Sequence, residues 1–281
     1  MEKLYTKGWK DYELIDAGGG KKLERWGNVI TIRPELQAYF KSGLPFPKWN
    51  DLAHWEYKEN EKGIGKWKKL KPDAPEVWTI GYKNLTFELA LTKFKHIGLF
   101  PEQAVNWQHI SEHFSGGKRV LNLFAYTGAA SAVARASGGE VLHVDSVKQL
   151  ISWAKRNMEL SGLQDIRWVH DDALKFAQRE VKRCNTYDLV IMDPPAWGVG
   201  VKNEKWKIED KLPELIDLAY QLVADKGGLI MNTYTPKVTS EDIAGLSGLF
   251  FGEKKCHVSE LWMQTTTQKD LYFGLLLRAK K

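Results

Sequence analysis

The chain has 281 residues and a mass of 32.1 kDa, enough for one large domain or two modest ones with a substantial core. Two cysteines exclude a disulfide framework and a multi-cysteine zinc site, while 41 Lys/Arg against 35 Asp/Glu, a formal charge of +6, permits a polyanionic partner without demanding one. No stretch approaches the ~18 apolar residues of a membrane span, and the polar opening from Met1 to Lys10 has no secretory h-region, so the expectation is a cytoplasmic protein with no membrane partner.

Residues 5–95 read as a small antiparallel β module, giving an N-terminal β-rich module over 1–95 and a second domain over 96–281. Short β-rich runs at 29–33 and 77–82 are punctuated by Gly18-Gly19-Gly20, Gly27-Asn28, Pro45-Phe46-Pro47 and Gly63-Ile64-Gly65. Six of the twelve tryptophans lie here, at 9, 26, 49, 55, 67 and 78. Lys58, Lys62, Lys66, Lys68, Lys69 and Lys71 alternate with Trp55, Tyr57 and Trp67. Lysines bind phosphates and rings stack on unpaired bases, so the pattern suits an RNA surface. Glu56, Glu59 and Glu61 dilute it, and a hairpin with lysines out and tryptophans in accounts for it equally well.

The second region alternates strand and helix. Strands are expected at 119–125, 140–144, 166–169, 187–192 and 228–233, with helices at 129–137, 147–160, 173–182, 212–224 and 241–250. Two final strands, 256–263 and 271–278, have no helix between them and should pair as an antiparallel hairpin. The fold class is therefore α/β, a seven-stranded doubly wound and mostly parallel sheet preceded by the β module.

In such a sheet ligands bind beyond the carboxyl ends of the strands. The residues there are Tyr126-Thr127-Gly128 after the first strand, Asp145 after the second and Asp171-Asp172 after the third. Asp193-Pro194-Pro195 follows the fourth and Asn232-Thr233-Tyr234-Thr235 the fifth. Gly128 would let the backbone approach a ligand, or simply make the turn into a helix. Asp145 could accept from ribose hydroxyls, or cap the next helix. One of Asp171 and Asp172 should be an N-cap. No second glycine occurs between Gly128 and Gly138, so the G-x-G-x-x-G phosphate cradle is missing, which favours a nucleoside without phosphates over NAD.

These residues resemble class I S-adenosylmethionine-dependent methyltransferases. Val120 to Gly128, Val144-Asp145, Asp171-Asp172, Asp193-Pro194-Pro195 and the entry segment Gly98 to Gln103 are similar to the ribosomal-RNA cytosine-C5 methyltransferase-like group. The likeness is good over about 85–278 and loose before it, and the chain is too short for the PUA module common in that group. The resemblance implies S-adenosyl-L-methionine as cofactor and RNA, ribosomal RNA first, as partner. Tyr126, Thr127 and Gly128 would meet its methionine end, Asp145 its ribose, and Asp172 with the Ala173 amide its adenine. Asp193 would face the methyl group and the target, with Phe100 and Gln103 closing over them.

The sequence departs from that group in one respect. Pyrimidine C5 methylation needs a cysteine thiolate to add to C6, placed after the fifth strand. Asn232 to Thr235 contain none; Cys184 and Cys256 precede strands and are expected as plain buried thiols at the opposite edge. Transfer to a base nitrogen is therefore favoured over cytosine C5. Asp193 and the Pro194 carbonyl would orient an exocyclic amine, and Trp197 would stack on the base or else pack in a loop. The same fold acting on a small molecule or protein, and an inactive cofactor-binding RNA-interaction protein, are the alternatives. His109 and His113 fall at i,i+4 on a helix but find no third ligand, so no metal is expected.

Overall fold

The structure is a computed structural model that describes residues 1–60, 65–199 and 205–281. Glu61, Lys62, Gly63 and Ile64 lie outside the described residues. Two compact units make up the chain. One comprises residues 5–104 and 262–273; the other comprises 1–4, 105–261 and 274–281. The first extends past the expected 95/96 division because the segment after residue 90 is tied to the β module. Tyr57 Oη donates to Lys93 O (3.0 Å), Arg33 Nη1 to Lys95 O (3.1 Å) and Thr6 Oγ1 to Pro101 O (3.1 Å).

After β1 (Glu2–Tyr5), the N-terminal unit builds a five-stranded sheet in the order β2 (Tyr12–Gly18), β3 (Lys21–Trp26), β4 (Val29–Pro34), β5 (Trp55–Glu59) and β6 (Gly65–Lys69). The pairs are antiparallel except β4 with β5, which are parallel. Parallel neighbours need a crossover, and residues 35–54 with helix α1 (Phe46–Leu52) supply it. Strands β7 (Val77–Tyr82) and β8 (Leu85–Ala90) form a separate antiparallel pair.

The six tryptophans of the first 95 residues are spoken for. Trp26 and Trp49 are fully buried. Trp26 donates its indole N–H to Thr31 Oγ1 (3.2 Å), Trp49 to Asp16 Oδ2 (3.0 Å) and Trp55 to Pro75 O (2.8 Å). Trp67 donates to Thr92 O (3.1 Å), Trp78 to Trp26 O (3.1 Å) and Trp9 to Gly81 O (2.5 Å). Each ring fills core while its N–H binds a backbone or side-chain oxygen, the usual compromise for buried indole. On the β5–β6 hairpin Lys58, Lys66, Lys68 and Lys69 are exposed while Trp55 and Tyr57 are buried. That is the hairpin with lysines out and rings in.

The second unit holds an eight-stranded sheet in the order β1-β16-β17-β15-β12-β9-β10-β11. A 3-10 turn (Pro101–Gln103) leads into α2 (Ala104–His113), then β9 (Arg119–Leu123), α3 (Ala129–Ala136), β10 (Glu140–Asp145) and α4 (Lys148–Leu160). There follow β11 (Ile166–His170), α5 (Ala173–Lys182), β12 (Tyr187–Met192) and a small hairpin of β13 (Trp197–Val199) and β14 (Lys205–Lys207). The chain ends with α6 (Ile208–Leu222), β15 (Val223–Thr233), α7 (Ser240–Phe251), β16 (Cys256–Gln264) and β17 (Asp270–Lys280). Strands β11, β10, β9, β12 and β15 are parallel, and β17 runs antiparallel to β15.

Alternation of side chains sorts the two faces. Leu121, Leu123, Val144, Val190, Met192, Leu229 and Met231 form one core with α5, α6 and α7. On the other face Asn122 Nδ2 donates to Ser131 Oγ of α3 (2.9 Å), and that hydroxyl meets His143 Nδ1 (3.0 Å). Burial holds the His143 imidazole neutral, with its pKa pushed down to about 3. Two boundaries differ from expectation by more than two residues. Helix α6 begins at Ile208, four residues before the expected start, with Glu209 and Asp210 in the first turn where acids suit the helix dipole. Strand β15 begins at Val223 rather than at 228, because a register shift opposite Tyr187 and Leu189 and a left-handed Lys226 (φ 64°) carry the ladder past the break. Among the described residues no helix is long and apolar enough to cross a membrane.

Candidate active site

Strand β9 lies between β10 and β12, so the chain winds outward in both directions from it. This is the switch point where an open sheet leaves a crevice at its carboxyl edge. The registers Leu123 with Val144, Leu123 with Met192, and Asp145 with His170 place the ends of β9, β12, β10 and β11 side by side. Tyr126 to Gly128, Asp145, Asp171 to Ala173, and Asp193 to Pro195 therefore share one edge of this unit.

The loop after β9 is backbone-strained. Phe124 (φ 56°), Tyr126 (φ 52°) and Gly128 (φ 81°) are all left-handed, and two of the three are not glycine. Such residues cost free energy and persist where surrounding contacts hold them. Here Asp145 holds them: its Oδ2 accepts the Tyr126 N–H (2.9 Å) and its Oδ1 the Val147 N–H (2.8 Å). Asn157 of α4 donates from Nδ2 to Thr127 O (2.9 Å), a buried clamp that nothing in the local sequence pattern signalled. Asp145 is nearly buried, and burial pushes its carboxyl pKa up against the opposing backbone hydrogen bonds. Val147, not Asp145, is the N-cap of α4.

Gly128 serves the protein itself. A Cβ there would lie 2.9 Å from Ala154 Cβ and 3.4 Å from His143 Cε1, directed into the packing of β10 and α4. Thr127 is 1% exposed. The loop's open side is thus made by the half-buried Phe124 and Tyr126.

Asp172 is the N-cap of α5, its Oδ1 accepting the Lys175 N–H (2.9 Å), and Ala173 opens the helix. Asp171 accepts the Asp172 N–H (2.8 Å) and pairs with Arg179, eight residues further on within α5. After β12, Asp193 is half-buried, Pro194 buried and Pro195 exposed. Trp206 fixes this exit: its indole donates to Pro195 O (2.7 Å) and its ring sits 5.4 Å from Phe124. Trp206 was not anticipated; a tryptophan eleven residues beyond a Pro-Pro exit gives no periodic signal. Trp197 is 63% exposed and is not a core or loop-packing ring. Phe100 and Gln103 belong to the other compact unit, where the Phe100 ring lies tilted against His96 (5.1 Å) and the Gln103 N–H donates to Phe100 O (3.1 Å).

The expected buried thiols are not buried. Cys184 is exposed in a left-handed turn after α5, where the chain loops out before β12, and Cys256 is half-buried at the first residue of β16. Both stand at the amino edge of the sheet. At the carboxyl end of β15 the Asn232 Nδ2 and Thr233 Oγ1 are buried and make no hydrogen bond with a described residue. Among the described residues there is no group of three or more His, Cys, Asp or Glu able to hold a metal.

The edge suits a nucleoside. An ionised carboxylate offers about four lone-pair sites, and Asp145 uses two, leaving capacity for ribose hydroxyls. A strained, glycine-poor loop beside it offers no cradle for a pyrophosphate. Five parallel strands, a carboxylate at the second strand end and a closing antiparallel strand together define a class I methyltransferase architecture.

Residues 54–241 match the family model described as S-adenosylmethionine-dependent methyltransferase, and the chain belongs to that family, with S-adenosylmethionine as its methyl donor. The SAM-dependent methyltransferase from Agrobacterium tumefaciens, a crystal structure, is similar at TM-score 0.93 and 34% identity, over 100% of this chain and 93% of that one. The likeness includes the N-terminal module, where the sequence motifs gave only a loose match. SMU.776, solved in complex with SAH, has the same fold at TM-score 0.79 and 18% identity, covering 98% of this chain and 76% of that one. Ribosomal RNA large subunit methyltransferase K/L of Shewanella frigidimarina is 27% identical over 228 residues, 75% of this chain and 32% of that protein. The chain thus spans about a third of the length of that curated relative.

Proposed function

We propose that this chain transfers a methyl group from S-adenosylmethionine to a base nitrogen of RNA, ribosomal RNA first, in the cytoplasm. The observation that supports the choice of atom is the make-up of the carboxyl edge: Asp193 and Pro194 follow β12, Trp197 just beyond them is exposed, and neither cysteine lies there. The similarity to a ribosomal RNA methyltransferase supports the choice of substrate.

When bound, S-adenosylmethionine supplies an electrophilic methyl on a sulfonium. What remains for the protein is positioning and exclusion of water. Asp145 accepts from the ribose hydroxyls, Asp172 and the Ala173 amide meet the adenine, and the Tyr126 to Gly128 loop holds the methionine end. Asp193 and the Pro194 carbonyl accept from an exocyclic amine and aim its lone pair. Trp197 stacks on the base that carries it.

The test is methyl-labelled S-adenosylmethionine incubated with total RNA from a strain lacking this protein, beside its protein and metabolite fractions. Label is expected in RNA, and nucleoside digestion is expected to return an N-methylated base. Label confined to protein or metabolites removes the RNA assignment, and 5-methylcytosine removes the nitrogen assignment.

A further inference from the structure

At the far end of the second unit's sheet, β15, β17, β16 and β1 expose one face beside α2. A cavity of about 370 Å³ lies there, lined by Arg278 and Lys280 of β17, Lys254 and Lys255 ahead of β16, His109 of α2 and Glu2 of β1. Gly228, in register with Lys280, also lines it, whereas Thr233 ends the same strand at the methyl-transfer edge. Five residues of extended chain separate them, about 16 Å. The rim at Gly228 and Lys280 is thus away from that edge, while Arg278, in register with Ile230, stands nearer to it.

At its centre is a guanidinium with no carboxylate in direct contact, Glu2 and Glu112 acting on it only from a distance. Arg278 is partly buried, and its Nη2 donates to two neutral oxygens, Val105 O (3.2 Å) and Asn106 Oδ1 (3.1 Å). Its Nε is buried and has no hydrogen-bond partner. No carboxylate of a described residue lies within ion-pair distance of it. Taking a guanidinium partly out of water without a paired anion is unfavourable, and the surroundings increase the deficit. Lys254, Lys255 and Lys280 stand on the rim against a single carboxylate, Glu2. His109 is held neutral, its pKa pushed down to about 4 by burial and by Arg278, so its ring can donate one N–H without adding charge.

We propose that this cavity binds a phosphate group, with the Arg278 guanidinium as the main contact and the lysines at the rim. A guanidinium matches phosphate in charge and in fork geometry, and the volume exceeds one phosphate, leaving room for the attached sugar. The phosphate comes from an RNA chain or from a free phosphorylated compound. The chemistry is shared, and the site does not depend on the RNA assignment above.

The exposed rim lysines can be changed without touching the core, so the test uses Lys255→Gln/Lys280→Gln in the full chain. Inorganic phosphate is titrated while the Arg278 Nε–H resonance is followed by NMR, and a short fluorescein-labelled single-stranded RNA is titrated by anisotropy. In the wild type the resonance moves saturably with phosphate, and in the double variant the apparent Kd is about tenfold weaker. If RNA is the source, its affinity falls too, phosphate displaces it, and the slope of log K against log salt drops by about one. If a free phosphate is the source, only the phosphate arm responds. An Arg278 resonance indifferent to both probes, or a variant that binds both as the wild type does, overturns the proposal. Phosphate binding here in a protein that methylates no RNA keeps this site and removes the substrate assignment instead.

Discussion

Replacing Gly128 with alanine separates two accounts of that residue. If the glycine exists so that a ligand can approach, Gly128→Ala weakens cofactor binding and leaves the fold alone. The structure argues otherwise. The backbone there is left-handed (φ 81°), which costs an L-residue about 1–2 kcal/mol. The new Cβ would stand 2.9 Å from Ala154 Cβ, in a region closed by β10 and α4, so a further 1–3 kcal/mol or so of overpacking is expected. The variant should lose about 2–5 kcal/mol in urea unfolding. The second change Ala154→Gly removes the contact and costs about 1 kcal/mol of helix propensity on its own. In the double variant the losses should fall short of their sum by about 1–2 kcal/mol, the mark of a direct contact. Binding of S-adenosylhomocysteine to the folded fraction, by calorimetry, should change less than tenfold. A Gly128→Ala protein within about 0.5 kcal/mol of the wild type, or strictly additive losses, would refute the packing account.

Three further expectations can be checked directly. Asp145→Ala removes the acceptor of the Tyr126 and Val147 N–H groups and the proposed ribose contact, so cofactor affinity should fall by about 1–3 kcal/mol in calorimetry, and unchanged affinity would take Asp145 out of the site. Trp197→Ala should leave urea stability within about 0.5 kcal/mol, as the ring is exposed, yet weaken RNA binding by about 1–3 kcal/mol, with Trp197→Phe restoring most of it. Glu102 is fully buried with its Oε2 unpartnered, and burial pushes its pKa from 4.5 up to about 7. Its stabilising effect is complete below about pH 4.5 and is lost as pH rises through 7, so Glu102→Gln should gain about 3 kcal/mol on the wild type between about pH 4.5 and pH 8.5, and a pH-independent difference in urea midpoints would contradict this.

The alternation of strand and helix was legible because each buried strand of the second unit is a short apolar run bounded by turn residues. Strand β12 and helix α5 match their expected ranges to the residue. The boundaries that moved most are those where a local breaker was overruled: Pro213 inside α6, and Lys226 to Gly228 inside β15. The site's acids were legible from their places at strand ends. What holds them was not. Asn157 reaches the loop from the last turns of α4, Arg179 reaches Asp171 from within α5, and Trp206 reaches Pro195 across a hairpin. The tryptophan content was readable only as an excess. Whether a ring stacks on a ligand or donates inward to Pro75 or Thr92 depends on tertiary placement, and four of the six in the first 95 residues donate to backbone carbonyls far along the chain.

The end of β15 ties the chemistry together. In the cytosine-C5 group that this sequence resembles, a thiol stands here; this chain has Asn232 and Thr233 instead. Both are buried, Asn232 Oδ1 accepts from Asn106 Nδ2 (3.0 Å), and the Asn232 amide nitrogen and the Thr233 hydroxyl make no hydrogen bond with a described residue. Unsatisfied buried polar groups are costly, and natural sequences keep them chiefly where they work. A carbon nucleophile must be created by covalent addition, which amides and hydroxyls at this position cannot supply. A nitrogen already carries its lone pair and needs only to be desolvated and aimed. In the proposed transfer to nitrogen, Asp193, the Pro194 carbonyl, Asn232 and Thr233 would aim the acceptor by hydrogen bonding, and none of them adds to a ring.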